Sequence, residues 1–289
     1  MLQILRVVIP VFLIVVLGFF IGKKKKVNIQ VLIDLLIYVS GPALVFSSIS
    51  IAEVQMSNFL TMILAAAGVI ALLMVVTFVY FKITNDKRKG IYLPIATGNT
   101  GYLGFPVALF AFGAIGLSHA IIYDIVNGLF LFSFGIYIVN KKNDFKEMFR
   151  TPLLYAAILG ILFNIYKIQT PEIILKPIEM IGMITIPAAL LVLGYKLTEI
   201  KIKSFKTALS IALFRIVGGF LAALLIVSMF SISGVARSII LIQSSMPPAV
   251  FSMILTSKYK RDAALVSSVV FLGILISLIT LPLVLWYVL

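Results

Sequence analysis

The polar side chains of this sequence that could do chemistry lie where an apolar run is interrupted. Gly98-Asn99-Thr100-Gly101-Tyr102 falls inside residues 90–113, a segment without a charged side chain. Amide, hydroxyl and glycine N–H groups bind oxygen atoms and anions, whereas catalysis needs an activated nucleophile or a positioned acid and base. The stretch therefore predicts a binding site for an oxygen-rich ligand.

A second polar interruption, Gln243-Ser244-Ser245-Met246-Pro247, lies in the apolar residues 237–256. A shift of 145 residues places Asn99-Thr100-Gly101 over Ser244-Ser245-Met246, and the same shift places Pro42-Ala43 over Pro187-Ala188. Matching interruptions in two halves of a membrane protein indicate the binding site of a secondary transporter. The alternative left open is that the prolines only kink two helices.

Breaking a helix inside a bilayer has a chemical use. Each break creates a half-helix whose N-terminal N–H groups and positive dipole end attract an anion. Asn99 lies ten residues from Lys89, which is about 15 Å along a helix and close to the midplane of a roughly 30 Å hydrocarbon core. We therefore predict an anion site between Gly98–Tyr102 and Gln243–Pro247.

Charged residues inside apolar spans are costly and mark either a functional site or a fixed pair. Arg215 is predicted to attract an anion or to pair with an acid. Asp124, with Asn127 one helical turn further on the same face, is a candidate proton or cation site, and an external-side hydrogen bond is the alternative. Asp34, near the start of the second span, fits a structural role as well as it fits ion coupling. His119 is predicted to lie at the outer membrane interface.

These residues must be positioned by membrane-spanning helices. The chain is 62% hydrophobic and 12% charged, with a mean hydropathy of +1.19, which is typical of integral membrane proteins. Its apolar segments approach the roughly 20 residues that a spanning helix needs. Ten spans are predicted, at residues 2–22, 29–50, 58–81, 90–113, 117–139, 151–166, 177–195, 205–230, 237–256 and 263–288.

The basic residues fix a predicted orientation. Of the 24 lysines and arginines, 19 lie in alternate loops, a distribution that follows the positive-inside rule. It places the lysine-rich loops in the cytoplasm and both termini outside a multi-pass plasma-membrane protein, and it speaks against a nucleic-acid partner despite the net charge of +14. Zero cysteines and one histidine predict no metal site and no cofactor.

Ten spans with both termini outside divide into residues 1–144 and 145–289. Five spans in each half make the second half enter the membrane from the opposite side. The predicted fold class is an all-α polytopic membrane protein with two inverted five-helix repeats.

The stretches "GNTGYLGFP" and "SSMPPAVFS", with the Pro-Ala elements of spans two and seven, resemble the auxin efflux carrier family. This family includes plant auxin exporters and bacterial permeases for malate or malonate, and the resemblance covers essentially the whole chain. It implies broken spans four and nine that cross, as in bile-acid sodium symporters and sodium/proton antiporters. It also implies a carboxylate held by Asn99, Thr100 and Gly101 on one side and by Ser244–Pro247 on the other, with Asn127 lining the pocket.

The sequence departs from the plant pattern in a way that argues against auxin itself. The central loop 140–150 has only 11 residues, and Gly-Asn-Thr stands in place of Asn-Pro-Asn. We expect a secondary transporter of small carboxylates that works by alternating access, with sodium or proton coupling and a homodimer left open. The alternatives are a cation antiporter that uses Asp124 and a membrane sensor that binds its ligand without moving it. An enzyme is not expected.

Overall fold

A computed structural model describes residues 2–25, 27–52, 56–140 and 152–289, and over these residues the protein is helical without a β-strand. The predicted division at residues 144 and 145 and the basic residues between 141 and 150 lie outside them. The α-helices are α1 Leu2–Lys24, α2 Ile29–Leu35, α3 Gly41–Ser50, α4 Met56–Thr84, α5 Tyr92–Ala96, α6 Phe105–Phe130, α7 Ile136–Val139, α8 Pro152–Ile165, α9 Glu172–Met183, α10 Thr185–Leu197, α11 Phe205–Met229, α12 Gly234–Ser244, α13 Val250–Lys258 and α14 Ala263–Val288.

Within the described residues, seven helical stretches are long and apolar enough to cross a membrane. Large apolar side chains such as Leu13, Leu64 and Ile279 stay more than 60% exposed, which suits contact with lipid and not with water. The chain is therefore a multi-pass membrane protein. The seven stretches are Leu2–Lys24, Ile29–Ser50, Phe59–Thr84, Thr100–Val139, Glu172–Leu197, Phe205–Met229 and Ala263–Val288, and Pro152–Ile165 and Gly234–Ser244 are shorter apolar helices.

The 40-residue stretch Thr100–Val139 reverses direction at Gly113. This glycine has φ 65° and ψ −155°, which interrupts α6. A Cβ at Gly116 would lie 2.6 Å from the carbonyl oxygen of Ala108, although eight residues of continuous helix would separate the two positions by about 12 Å. The predicted spans 90–113 and 117–139 are thus joined by a turn that begins at Gly113.

The long helices pack in two groups. In the first helix group α1 lies against α10, and α3 lies against α8 and α9. In the second helix group α4, α6, α11, α12 and α14 pack on one another, with α5 and α13 among them. Gly194 lets α10 approach α1 closely, because a Cβ there would lie 2.8 Å from the backbone nitrogen of Phe19.

Two proline kinks shape the first helix group. Leu36–Ser40 forms a π-helical turn directly before Gly41-Pro42, and the helix of span seven is interrupted at Ile184, just before Thr185 and Pro187. Proline removes one backbone donor and clashes with the carbonyl four residues earlier. The backbone of each kinked helix is therefore irregular near the same Pro-Ala element.

Candidate functional site

Two helix breaks meet in the second helix group. The chain leaves α5 at Ala96, is extended at Thr97 and becomes helical again at Thr100, while α12 ends at Ser244 and α13 begins at Val250. The backbone N–H of Asn99 donates to the Pro247 carbonyl at 2.7 Å. The N–H of Ala249 donates to the Thr97 carbonyl at 3.0 Å, so each unwound segment satisfies part of the other's backbone. We call these paired segments, residues 97–99 and 245–249, the crossover.

Gly98 forms an isolated antiparallel bridge with Pro248. Pro247 accordingly lies opposite Asn99, and Ala249 lies opposite Thr97, as the two backbone hydrogen bonds require. Antiparallel pairing determines which residues touch, and not which residues of the two halves correspond. The 145-residue match of Asn99 with Ser244 therefore stays a prediction.

Asn127 holds the crossover backbone. Its Oδ1 accepts the N–H of Gly98 at 3.2 Å, and its Nδ2 donates to the Gly98 carbonyl at 3.0 Å. The same Nδ2 donates to Thr100 Oγ1 at 2.8 Å. Because an unpaired backbone group inside a membrane is costly, this one side chain replaces the helical partners that Gly98 has lost.

Asp124 lies one helical turn before Asn127, as its spacing predicts, and contacts the same segment. Its Oδ1 forms a hydrogen bond with the hydroxyl of Thr100. A Cβ at Gly101 would lie 3.5 Å from Asp124 Oδ2, so the start of the half-helix faces the carboxylate closely. Asp124 has no cationic partner among the described residues.

Arg215 is a buried residue that contacts the crossover at Gly98. Its side chain is 1% exposed, and its guanidinium contacts the Cα face of Gly98 and lies 2.7 Å from the Cβ position of Gly219. Within the described part of the chain, no acidic group is within ion-pair distance, and Nε and Nη1 have no hydrogen-bond partner. The predicted pairing of Arg215 with an acid is therefore not seen within the described residues, where its guanidinium lies against Gly98 and Gly219.

A cavity of 510 Å³ borders the crossover between the two helix groups, and Arg215 does not line it. The first half of the predicted site reaches it, through Gly98, Asn99, Gly101, Tyr102, Asn127 and Asp124. From the other break the cavity is lined by Ala249, Val250 and Phe251. The remaining wall is mostly apolar and includes Val45, Phe105, Ile125, Phe132, Leu153 and Ile186.

Residues Gln243–Pro247 do not line this cavity, and their side chains have other surroundings. Ser244 Oγ lies 2.8 Å from Tyr123 Oη, and Ser245 Oγ donates to the Leu241 carbonyl at 2.8 Å. Met246 packs in an apolar cluster, and Gln243 lies against Gly104. Thr100 also lies off the cavity wall, bonded to Asp124 and Asn127.

Two further predicted residues lie away from the cavity. Asp34 is exposed and accepts a hydrogen bond from Gln30 Nε2 at 2.7 Å. His119 is 2% exposed, with its Nδ1 2.8 Å from the Ile115 carbonyl oxygen. The His119 ring is therefore covered by protein, and its depth at the outer membrane interface stays a prediction.

Three residues of the cavity wall each carry a buried polar atom without a hydrogen-bond partner among the described residues. These atoms are Asn99 Nδ2, Tyr102 Oη and Thr185 Oγ1. Thr185 comes from the first helix group and the other two from the crossover and the turn that follows it, and α10 packs against the turn that carries Tyr102. All three can donate a hydrogen bond, so the wall is rich in donors on both sides of the cavity.

Thr185 lines the cavity but is absent from the residues that the sequence predicts. It directly precedes Ile186-Pro187-Ala188, as Ser40 directly precedes Gly41-Pro42-Ala43. Both hydroxyls are buried and unpaired within the described residues. A polar residue just before each Pro-Ala element, at the 145-residue offset, is the sequence signal that marks this position.

Comparison with known proteins gives consistent matches over the length of the chain. A sequence model described as "Membrane transport protein" matches residues 3–147 and 141–285. An uncharacterised transporter of Methanocaldococcus jannaschii is 28% identical over 304 residues, covering 98% of both chains. An uncharacterised transporter of Methanothermobacter thermautotrophicus is 26% identical over 289 residues, covering 96% of this chain and 95% of that protein.

Proposed function

Because the chain belongs to the membrane transport protein family, that of the auxin efflux carriers, we propose that it is a secondary transporter of small organic anions. Carboxylates are the proposed substrates, and the crossover cavity is the proposed binding site.

The observation that carries the proposal is the set of three buried donors that have no partner in the described part of the chain, Asn99 Nδ2, Tyr102 Oη and Thr185 Oγ1. A buried donor without an acceptor costs about 1–3 kcal/mol. A carboxylate has two oxygens with about four acceptor sites and no donor. Such a ligand can accept a hydrogen bond from each of these groups, whereas a cation can be held by the two hydroxyl oxygens but not by the Asn99 amide nitrogen.

Fixed charges around the crossover favour a negative ligand. Helices resume at Thr100 and Val250, and their first N–H groups have no partner within the helix. The buried guanidinium of Arg215 lies directly behind Gly98. Its role here is electrostatic, acting across the crossover and without touching the ligand, because a positive charge in a low-dielectric site is weakly screened.

The shape of the cavity narrows the class of anion. Its 510 Å³ falls within the roughly 300–1,000 Å³ of small-molecule sites. Most of its wall is apolar, with aromatic rings from Tyr102, Phe132 and Phe251. This arrangement favours a carboxylate with an apolar body over an acid that is charged at both ends.

Transport requires that the cavity open to each side in turn. The cavity lies between the two helix groups and extends along α13 to the exposed Lys258, in the lysine-rich loop that the positive-inside rule assigns to the cytoplasm. We propose two inverted five-helix repeats with ten spans and both termini outside the plasma membrane. Movement of the second helix group against the first would then expose the crossover alternately. A homodimer stays a prediction.

The class of substrate is tested by ligand stabilisation followed by flux. A panel of phenylacetate, benzoate, butyrate, malonate and malate is screened by thermal unfolding of the purified protein, with and without sodium at two pH values. Binding raises the unfolding temperature in proportion to ln(1 + [L]/Kd). We expect the monocarboxylates to stabilise the protein most and to be exchanged in proteoliposomes. A panel without any stabilising acid would contradict the proposal.

Thr185→Val tests the site within this class, since it removes the hydroxyl and keeps the shape. Thr280→Val is the matched control, because Thr280 lies on α14 and does not line the cavity. We expect the first variant to lose about 1–3 kcal/mol of binding free energy and the second to bind like the wild type. Equal affinity in both variants would remove Thr185 from the site.

A cation antiporter is the second candidate, because Asp124 lies on the cavity wall and has no cationic partner among the described residues. It predicts sodium- or proton-driven cation exchange with no carboxylate present. Asp124→Asn would abolish that exchange. Carboxylate flux without any cation exchange would decide for the anion transporter.

A further inference from the structure

An acidic side chain lies on the wall of the proposed anion site. Asp124 lines the same cavity as the donors Asn99, Tyr102 and Thr185. Two ionised carboxylates that share a site disfavour each other's charged form. The anion and the ionised form of Asp124 therefore compete, unless a proton neutralises Asp124 when the anion binds.

The hydroxyl proton of Thr100 can point to either of two acceptors. Asn127 Nδ2 donates to Thr100 Oγ1 at 2.8 Å and to the Gly98 carbonyl at 3.0 Å. Thr100 has one hydroxyl proton and two oxygens within reach as acceptors, Asp124 Oδ1 and, at 3.4 Å, the Gly98 carbonyl. When Asp124 is ionised, the Thr100 proton points to Asp124, because a charge-assisted hydrogen bond is the stronger one.

Adding a proton to Asp124 Oδ1 reverses this arrangement. The Oδ1–H then donates to Thr100 Oγ1, which accepts from Asp124 and Asn127 together. The Thr100 proton is released to donate to the Gly98 carbonyl. No covalent bond other than the new O–H changes, and the proton comes from the aqueous phase through the cavity.

We infer that Asp124 takes up a proton together with the anion, and that Thr100 and Asn127 transmit its protonation to the Gly98 peptide of the crossover. This inference rests on the proposed function, and it makes the carrier proton-linked. Gly98 is bridged to Pro248. A change in the hydrogen bonds of the Gly98 carbonyl therefore acts on the backbone pairing between the two helix breaks. Thr100 and Asn127 are positioning residues in this scheme.

Other titratable groups lie near Asp124, but none of them is hydrogen-bonded to Thr100 or Asn127 among the described residues. Tyr38, Tyr102 and Lys258 lie on the cavity wall, Tyr123 precedes Asp124 in α6, and Arg215 lies behind Gly98. The Tyr123 hydroxyl is hydrogen-bonded to Ser244. A sodium ion fits the oxygens around Thr100 less well than a proton, because Asn127 Nδ2 already donates to both Thr100 Oγ1 and the Gly98 carbonyl.

The proton site is tested without a ligand by infrared difference spectroscopy of the protein in lipid, between about pH 3 and about pH 8, a range that includes the ordinary aspartate pKa of about 3.9. We expect the carbonyl stretch of a protonated carboxylic acid at low pH, absent in Asp124→Asn and retained in Asp86→Asn, a matched change in the loop before α5. Thr100→Val should shift the midpoint of the titration, and Thr100→Ser should restore it. A wild-type spectrum without a band that depends on Asp124 would overturn the inference.

The coupling is tested by the affinity for phenylacetate as a function of pH. Uptake of one proton with the anion predicts an affinity that falls about tenfold for each pH unit above the midpoint, and Asp124→Asn should remove this dependence. Asp124→Glu, which keeps the acid, should retain it. The same slope in Asp124→Asn, or an affinity set by sodium at constant pH, would overturn the coupling and leave the proposed function standing. Failure of every carboxylate in the panel to bind at any pH would contradict the proposed function itself.

Discussion

Replacing Asn127 by alanine tests the crossover most severely. The variant removes both contacts with the Gly98 peptide, at 3.2 and 3.0 Å, and the hydrogen bond to Thr100 at 2.8 Å. Each backbone group left unpaired costs about 1–3 kcal/mol, hence about 2–6 kcal/mol for the N–H and C=O of Gly98 together. Gly98 lines the cavity, so water can replace part of this loss, and we expect about 2–3 kcal/mol.

The assay is thermal unfolding of the detergent-solubilised protein, followed by the loss of helical circular dichroism. At roughly 2–4 °C per kcal/mol, the unfolding temperature should fall by about 4–12 °C. Asn164→Ala is the matched control, because Asn164 Nδ2 donates to the carbonyls of Ile49 and Ala52 at 2.9 and 2.7 Å, away from the cavity wall. Both variants should lose stability, but only Asn127→Ala should also lose anion affinity. An Asn127→Ala protein that unfolds at the wild-type temperature would refute the reasoning.

Three further substitutions have separate expected outcomes. Gly98→Ala places a methyl group 3.4 Å from Arg215 Cζ and closer to its Nη2, so overpacking should cost about 1–3 kcal/mol in thermal unfolding; wild-type stability would contradict that contact. Asp34→Asn should leave stability within about 0.5 kcal/mol and transport unchanged, since Asp34 is exposed, and altered coupling would show that it has a role in transport. Arg88 donates to Asp86 and lowers the pKa of that carboxyl below its ordinary value of 3.8. The unfolded chain then binds protons more readily, so the pair stabilises the fold at neutral pH, by less than about 1 kcal/mol at this partly exposed site. Its contribution is lost as the pH falls below that value, and the difference in unfolding temperature between wild type and Asp86→Asn should vanish there.

The sequence predicts the interrupted helices because polar residues and prolines rarely occur together inside an apolar run unless the helix breaks there. The stretch Gly98–Tyr102 lies at a helix break in the structure, and Asp124 and Asn127 face it, as their one-turn spacing indicates. The turn at Gly113 is likewise marked by its glycine. Local chemistry determines each of these features.

The contact between the two breaks cannot be predicted from the sequence alone. Backbone pairing of Gly98 with Pro248 joins them, and no local pattern in either break indicates which backbone groups of the other break it meets. The polarity of Ser244 and Ser245 predicts a ligand contact, but hydroxyls next to a helix end also satisfy local carbonyls, as Ser245 does with Leu241.

Arg215 and Thr185 show two other limits. The depth of Arg215 in its span predicts burial, but the direction of its side chain depends on packing against Gly98 and Gly219. Thr185 reaches the cavity because α10 packs against the turn that carries Tyr102. Such contacts between distant parts of the chain have no signature in local composition.

The claim that a carboxylate binds at the crossover is tested most directly by a distance. The acid that stabilises the protein most in the thermal screen is labelled with ¹³C at its carboxyl carbon, and the asparagine side chains are labelled with ¹⁵N. Solid-state NMR of the complex in lipid then measures the ¹³C–¹⁵N dipolar coupling. We predict a coupling that reports a hydrogen-bonded contact with Asn99 Nδ2 and that is lost in Asn99→Ala. A bound acid whose carboxyl carbon shows no such coupling, or keeps it in Asn99→Ala, would contradict binding at the crossover.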